Sequence, residues 1–196
     1  MKVKENILMV VFILLLGSFW TTALVFVDNV TKPIIDKNQN EKLRKSVLTA
    51  LNIPYEDKEV DEVFKNNIET IEKNDKKVYR DKKTQDIAFS ISGSGSQGPI
   101  IGVLALKSDL KTIKGITIVS QVETPGLGDR VLAESNLENF KGKYIVPQIK
   151  IVAAGSAQDN NEVDGITGAT LTCKAFQQIL NTVSKEYISL ISVDGK

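Results

Sequence analysis

Asp164-Gly165-Ile166-Thr167-Gly168-Ala169-Thr170-Leu171-Thr172 leads directly into an amphipathic run with Phe176, Ile179, Leu180, Val183 and Tyr187 on one face. The spacing predicts a helix over residues 171–191, and the small residues before it make room for a close ligand. The first turn of a helix carries N–H groups without partners and a partial positive charge, which together favour a phosphate. Thr170 and Thr172 set two hydroxyls beside that position. Read as structure alone, the same residues are a capped helix start, with Thr167 or Thr170 as N-cap.

Upstream of this stretch, Glu123-Thr124-Pro125-Gly126-Leu127-Gly128 follows a strand-like run over residues 116–122. Pro125 and Gly126 suit the central positions of a type II turn, and Gly128 adds backbone freedom. A strand ending in a sharp loop is the structural reading.

Thr-Gly-Ala-Thr-Leu-Thr at residues 167–172 resembles the flavinylation motif of the RnfG/NqrC family. Its members carry the FMN-binding domain of the Rnf electron-transport complex (RnfG) and of the sodium-pumping NADH:quinone reductase (NqrC). Glu-Thr-Pro-Gly-Leu-Gly at residues 123–128 is similar to the second hallmark of that family, in the family's order and at about its spacing. The resemblance implies FMN joined covalently to Thr172 through a phosphoester. Thr167, Gly168, Ala169, Thr170 and Leu171 would form the surrounding turn, and Glu123, Thr124, Pro125, Gly126, Leu127 and Gly128 would flank the flavin. Glu123 is then a partner of the flavin or of a threonine, or simply a loop acid. Asp164 matches the motif's leading acid; it would assist the metal centre of a modifying enzyme or cap the turn.

Composition narrows the chemistry further. The chain has 196 residues, 25 Lys and Arg against 24 Asp and Glu, and no histidine. Near-zero net charge without a basic stripe gives no support for nucleic-acid binding. The lack of histidine removes Ser-His-Asp and Cys-His catalysis and the usual zinc sites. Any chemistry must therefore come from carboxylates, hydroxyls, amines or a bound cofactor; the resemblance implies that the cofactor carries the redox chemistry and that the chain has no catalytic or metal-ligating residue of its own. Cys173, the single cysteine, either has its thiol pKa lowered by the helix start or packs as a small residue.

Residues 7–27 form an unbroken apolar stretch, including Phe12, Phe19, Trp20 and Phe26, long enough to span a bilayer as a helix. It exceeds a signal h-region and lacks an evident cleavage site, so a retained single-span anchor is expected. Lys2 and Lys4 favour a cytoplasmic N-terminus over residues 1–6. Thr31-Lys32-Pro33 marks the exit, and residues 28–75 read as a membrane-proximal helical segment. Leu43, Val47, Leu48 and Leu51 share one helical face before Pro54; Val60, Val63, Phe64, Ile68 and Ile71 share another.

From residue 76 to 192 the pattern is that of the core domain. Residues 77–80, 87–92, 100–107, 113–122 and 149–153 read as strands, and residues 136–140 as a short helix. The expected fold is α+β: a single transmembrane helix, then a twisted antiparallel sheet with flanking helices on one side. Gly93-Ser94-Gly95-Ser96-Gln97-Gly98 satisfies G-x-G-x-x-G literally. Pro99 and a β-rich run follow it instead of a helix, so a hairpin is expected and not a dinucleotide fold.

The resemblance implies a component of a redox-driven ion pump at the inner cell membrane, with its flavin domain outside the cytoplasm and no catalysis on its own. It also implies iron–sulfur, flavin and membrane subunits as partners, and a flavin transferase using FAD for maturation. The short length, the lone anchor and residues 27–33 resemble RnfG, implying ferredoxin:NAD chemistry coupled to Na+ or H+. Residues 39–71 and the loop around residues 93–109 resemble NqrC. A cofactor-free, membrane-anchored binding or assembly domain would share the same periodicities.

Overall fold

The computed structural model describes residues 2–192. Helix α1 spans Lys2–Ala50, and the chain divides into two units, Met1–Glu41 and Lys42–Lys196. In the first unit the helix is lined on all sides by exposed apolar side chains, among them Phe12, Phe19, Trp20 and Phe26. It is the one helix among the described residues long and apolar enough to cross a membrane. Through Thr31-Lys32-Pro33, the stretch read as the membrane exit, α1 continues without interruption. A single proline removes one backbone donor, and the apolar and amphipathic runs on either side share the helical period.

The second unit is a sheet buried on both faces. After the last turns of α1, helix α2 (Val60–Asn67) leads into a meander of β1 (Ile68–Lys73), β2 (Lys76–Asp81), β3 (Ile87–Ser94), β4 (Pro99–Leu106) and β5 (Ile113–Ser120). The strands lie in sequence order and pair antiparallel. The helical period expected over residues 60–71 ends at Asn67, and Ile68–Lys73 is the first strand, pairing Ile68 with Asp81 and Ile71 with Val78. The sheet therefore begins before residue 76. Apolar positions compatible with either period are resolved by the partner strand, since ladder bonds satisfy the backbone groups that a longer helix would satisfy internally.

Alternation along β3 and β4 sends side chains to two cores. Phe89, Ile91, Leu104 and Leu106 join Phe140, Phe176, Leu180 and Tyr187 on one face. Ala88, Val103 and Ala105 join Val47, Leu48, Leu51, Val60 and Phe64 on the other. Helices thus cover both faces, not one: the last turns of α1 and α2 on one side, the C-terminal helix on the other. The small residues Ala88 and Ala105 leave space for the α1 side chains, so the two-sided burial is written in the size of the strand residues.

Beyond β5 come α3 (Gly128–Val131), α4 (Glu134–Leu137), a 3-10 turn (Glu138–Phe140), the strands β6 (Lys150–Val152) and β7 (Glu162–Asp164), and α5 (Thr170–Ser192). β6 and β7 pair parallel. Side chains of α5 fasten this small sheet: Asn181 bonds both the N–H (2.8 Å) and the carbonyl (2.9 Å) of Ile149, and Gln177 Oε1 accepts from Ile151 N–H at 2.6 Å. The Phe89 and Tyr187 rings stack at 4.3 Å, tying α5 to β3. Together these contacts fix where the start of α5 points.

Candidate functional site

The first turn of α5 begins at Thr170, and Cys173 N–H is the first to find a helical partner, the carbonyl of Ala169. Ala169 thus holds the cap position, so neither Thr167 nor Thr170 is the N-cap. The N–H groups of Thr170, Leu171 and Thr172 precede the first helical bond and direct their positive ends toward the preceding loop.

Thr172 lies on the inward side of this turn and is only 3% exposed. Its Oγ1 donates to Glu123 Oε2 at 2.8 Å. Glu123, 4% exposed, is held at both ends. Its own N–H donates to Gln121 Oε1 at 2.5 Å, and its Oε1 accepts from Ser96 N–H (2.7 Å) and Gln97 N–H (3.2 Å). The carboxylate thereby bridges the β3–β4 hairpin loop and the start of α5. Burying it is tolerable because each oxygen has a donor.

The loop after Glu123 closes over the pair. Leu127 N–H donates to the Thr124 carbonyl at 3.2 Å with Gly126 at φ +77°, the geometry of a type II turn with Pro125 and Gly126 at its centre. Gly128 then passes so near that a Cβ there would sit 2.6 Å from both Glu123 Oε2 and Thr172 Oγ1. A Cβ at Gly95 would likewise stand 2.2 Å from Glu123 Oε1. Both glycines are demanded by the space the Glu123–Thr172 pair occupies.

The two motifs therefore meet. Glu123, Gly128 and Thr172 touch, and Leu127 lies over Gly168, whose added Cβ would be 3.4 Å from a Leu127 methyl. Thr124, Pro125, Gly126 and Leu127 are exposed. Leu171, at 71% exposure, faces outward beside the buried Thr172. Thr167, Gly168 and Thr170 line a pocket of about 330 Å3 with Val152, Gly165 and Lys174. Cys173 borders that pocket but is buried in the main core, so it packs. Asp164 Oδ1 accepts from Ser156 N–H (2.8 Å) and Ala157 N–H (2.9 Å), which makes it the fastener of the loop after β6.

Ser96 and Gln97 are site residues that neither motif contains. They belong to the literal G-x-G-x-x-G string, which is a hairpin closed by Gly95 N–H to the Gly98 carbonyl at 2.7 Å. They act through main-chain N–H groups, for which a side-chain pattern gives no signal. Among the described residues no group of three His, Cys, Asp or Glu side chains is placed to hold a metal ion.

Residues 95–185 match the FMN-binding domain family. That segment opens at the hairpin loop holding Glu123 and closes within α5, so it contains the whole cluster. The chain is similar to the NqrC component of the Na(+)-translocating NADH-quinone reductase from Chlamydia pneumoniae, 32% identical over 137 residues, 59% of this chain and 41% of that protein. It is also similar to the same component from Vibrio alginolyticus, 35% identical over 101 residues, 48% of this chain and 40% of that protein. The matched part thus spans well under half of these relatives. The crystal structure of Shewanella oneidensis NqrC has the same fold, with a TM-score of 0.67 and 19% identity over 76% of this chain and 93% of that one. The second unit thus carries the α+β architecture expected from the sequence, shared with that structure.

Proposed function

We propose that this chain is an FMN-carrying, membrane-anchored component of a redox-driven ion pump, the counterpart of NqrC in the Na+-translocating NADH:quinone reductase. In this reading FMN is joined to Thr172 Oγ1 as a phosphoester and relays electrons between neighbouring subunits. The observation that carries it is the contact of Thr172 with Glu123 beneath Gly128, which unites the two motifs of the FMN-binding domain at one hydroxyl.

The residues suit the group. The N–H groups opening α5 favour a phosphodiester beside Thr172. The neighbouring small residues Gly165 and Gly168 border open space, and exposed Leu127 and Leu171 offer apolar surface for a flat ring. When bound, the flavin supplies one- and two-electron transfer. The chain's part is to hold and orient it. A covalent tether fits a domain outside the cytoplasm, where a dissociable cofactor would be lost, and α1 provides the anchor. Maturation falls to a separate flavin transferase, and other flavin, iron–sulfur and membrane subunits are the partners.

The relatives favour the NqrC reading over RnfG, toward which the features around the anchor point. Purification of the native complex separates the two. NADH-driven quinone reduction is expected; ferredoxin-dependent NAD reduction would move the chain to the Rnf complex. Peptide mass spectrometry of native material should find the Thr172 peptide heavier by one FMN less water. An unmodified peptide from a complex still passing electrons would overturn the reading, and a colourless native protein would favour a cofactor-free assembly domain.

A further inference from the structure

We propose that Glu123 is the proton acceptor in the esterification of Thr172, a role that rests on Thr172 being the flavin attachment residue. A threonine hydroxyl is a weak nucleophile unless a base takes its proton as the new bond forms. The chain has no histidine. The group in contact with the hydroxyl is a carboxylate, and it already accepts that proton's hydrogen bond at 2.8 Å. A flavin transferase acting on this site therefore meets an acceptor that carries its own base.

The arrangement is more than a satisfied loop acid. Oε1 is committed to the hairpin through Ser96 and Gln97, and the backbone of Glu123 is held by Gln121. Oε2 alone is left for Thr172. When the exposed turn over residues 124–127 yields to an incoming flavin dinucleotide, the carboxylate stays anchored to the hairpin. It remains aimed at Oγ1, so the pair is preorganised for proton transfer. Gly95 and Gly128 supply the clearance that lets carboxylate and hydroxyl meet.

The step balances as follows. Thr172 Oγ1 attacks the flavin-side phosphorus of FAD, forming the Oγ–P bond. The bond from that phosphorus to the bridging oxygen breaks, and AMP departs with the bonding electron pair. The hydroxyl proton passes to Glu123 Oε2 and from there to solvent. No atom changes oxidation state.

The test uses the full chain in detergent with its flavin transferase and FAD, following fluorescence incorporated at Thr172. Glu123→Gln is the informative variant. Its amide oxygen can still accept from Ser96 and Gln97, but its NH2 presents a donor to Thr172, reversing the hydrogen bond and removing the base. Incorporation should slow by about a hundredfold or more in kcat, with the KM for the acceptor chain unchanged and the melting temperature near that of the native protein. Glu123→Asp, which keeps the charge but shortens its reach, should fall between the two. Incorporation in Glu123→Gln within about threefold of native overturns the role of Glu123 while leaving Thr172 as the attachment residue. If Glu123→Gln fails to fold, Glu123→Asp decides, because native-rate labelling of that variant overturns the proposal. No labelling of the native chain at Thr172 overturns the attachment reading and this inference together.

Discussion

Two buried carboxylates anchor loops at opposite ends of the β3–β4 hairpin, and they are paired very differently. Asp86 accepts from Ser108 N–H at 2.9 Å and Thr84 Oγ1 at 2.8 Å, and it forms an ion pair with Lys114 Nζ at 2.6 Å. Burial pushes its pKa up, but the bonds from Lys114, Thr84 and Ser108 outweigh it and hold the carboxyl below its ordinary value. Glu123 has comparable backbone anchors, and its remaining oxygen is spent on a neutral hydroxyl instead of a cation. A carboxylate neutralised by an ammonium group is a structural fastener, with little tendency to accept a proton. One facing a hydroxyl has no cation beside that oxygen and meets a single hydroxyl proton instead, the contact on which the proposed role of Glu123 rests.

The comparison breaks most sharply at Thr172. Thr172→Ala should abolish covalent flavin, read as lost fluorescence on a denaturing gel, while costing about 1–3 kcal/mol of stability because the buried Glu123 Oε2 loses its donor. Fluorescence persisting in that variant would refute the attachment. Asp86→Ala should do the opposite. It strands Lys114 and frees the Ser108 N–H, while Thr84 keeps its bond to Asp81, at a cost of about 2–4 kcal/mol in denaturant unfolding, with flavin incorporation into the folded fraction unchanged.

Gly128→Ala tests the shared space. Its Cβ would push on Glu123 and Thr172 together, so about 1–3 kcal/mol of destabilisation should accompany slowed incorporation. Acid unfolding sharpens the contrast at the other carboxylate. The folded-state pKa of Asp86 is lowered, so the native state binds fewer protons there than the unfolded chain. Its contribution is fully present above the unfolded value of about 4 and is lost as pH falls through the lower folded value. Asp86→Asn should therefore flatten the stability curve below about pH 4, measured by melting temperature against pH. Cys173→Ala should matter least, costing about 1 kcal/mol for a small buried side chain and leaving incorporation intact. Loss of incorporation would restore a redox or reactive role to that thiol.

Much of the molecule is legible from its residues, and the exceptions share a cause. Strands β3 to β5 and helix α5 declare themselves by period, because one period of apolar residues fits each. Residues 60–71 do not, since Val60, Val63, Phe64, Ile68 and Ile71 fit a helix throughout, and only pairing with β2 ends α2 at Asn67. The second helical layer escapes a linear reading for a similar reason. That Ala88 and Ala105 leave room for α1 is a statement about facing surfaces, which a linear pattern does not contain. At the site, the motifs point to Thr172 and Glu123 separately. Neither motif gives their contact, 49 residues apart in sequence, and the supporting N–H groups of Ser96 and Gln97 lie in a string that looks like a different motif.

The residues by themselves determined the long apolar helix, the α+β class, the type II turn at Pro125-Gly126 and the helix that carries Thr172 in its first turn. Each depends on local conformational preference or on a hydrophobic period, which neighbours along the chain suffice to express. Tertiary structure decided which carboxylate meets which partner. A hydrogen bond between a buried acid and a buried hydroxyl exists only once the hairpin, the turn and α5 have been packed onto one sheet, and the main-chain donors that hold that acid have no sequence identity to be read.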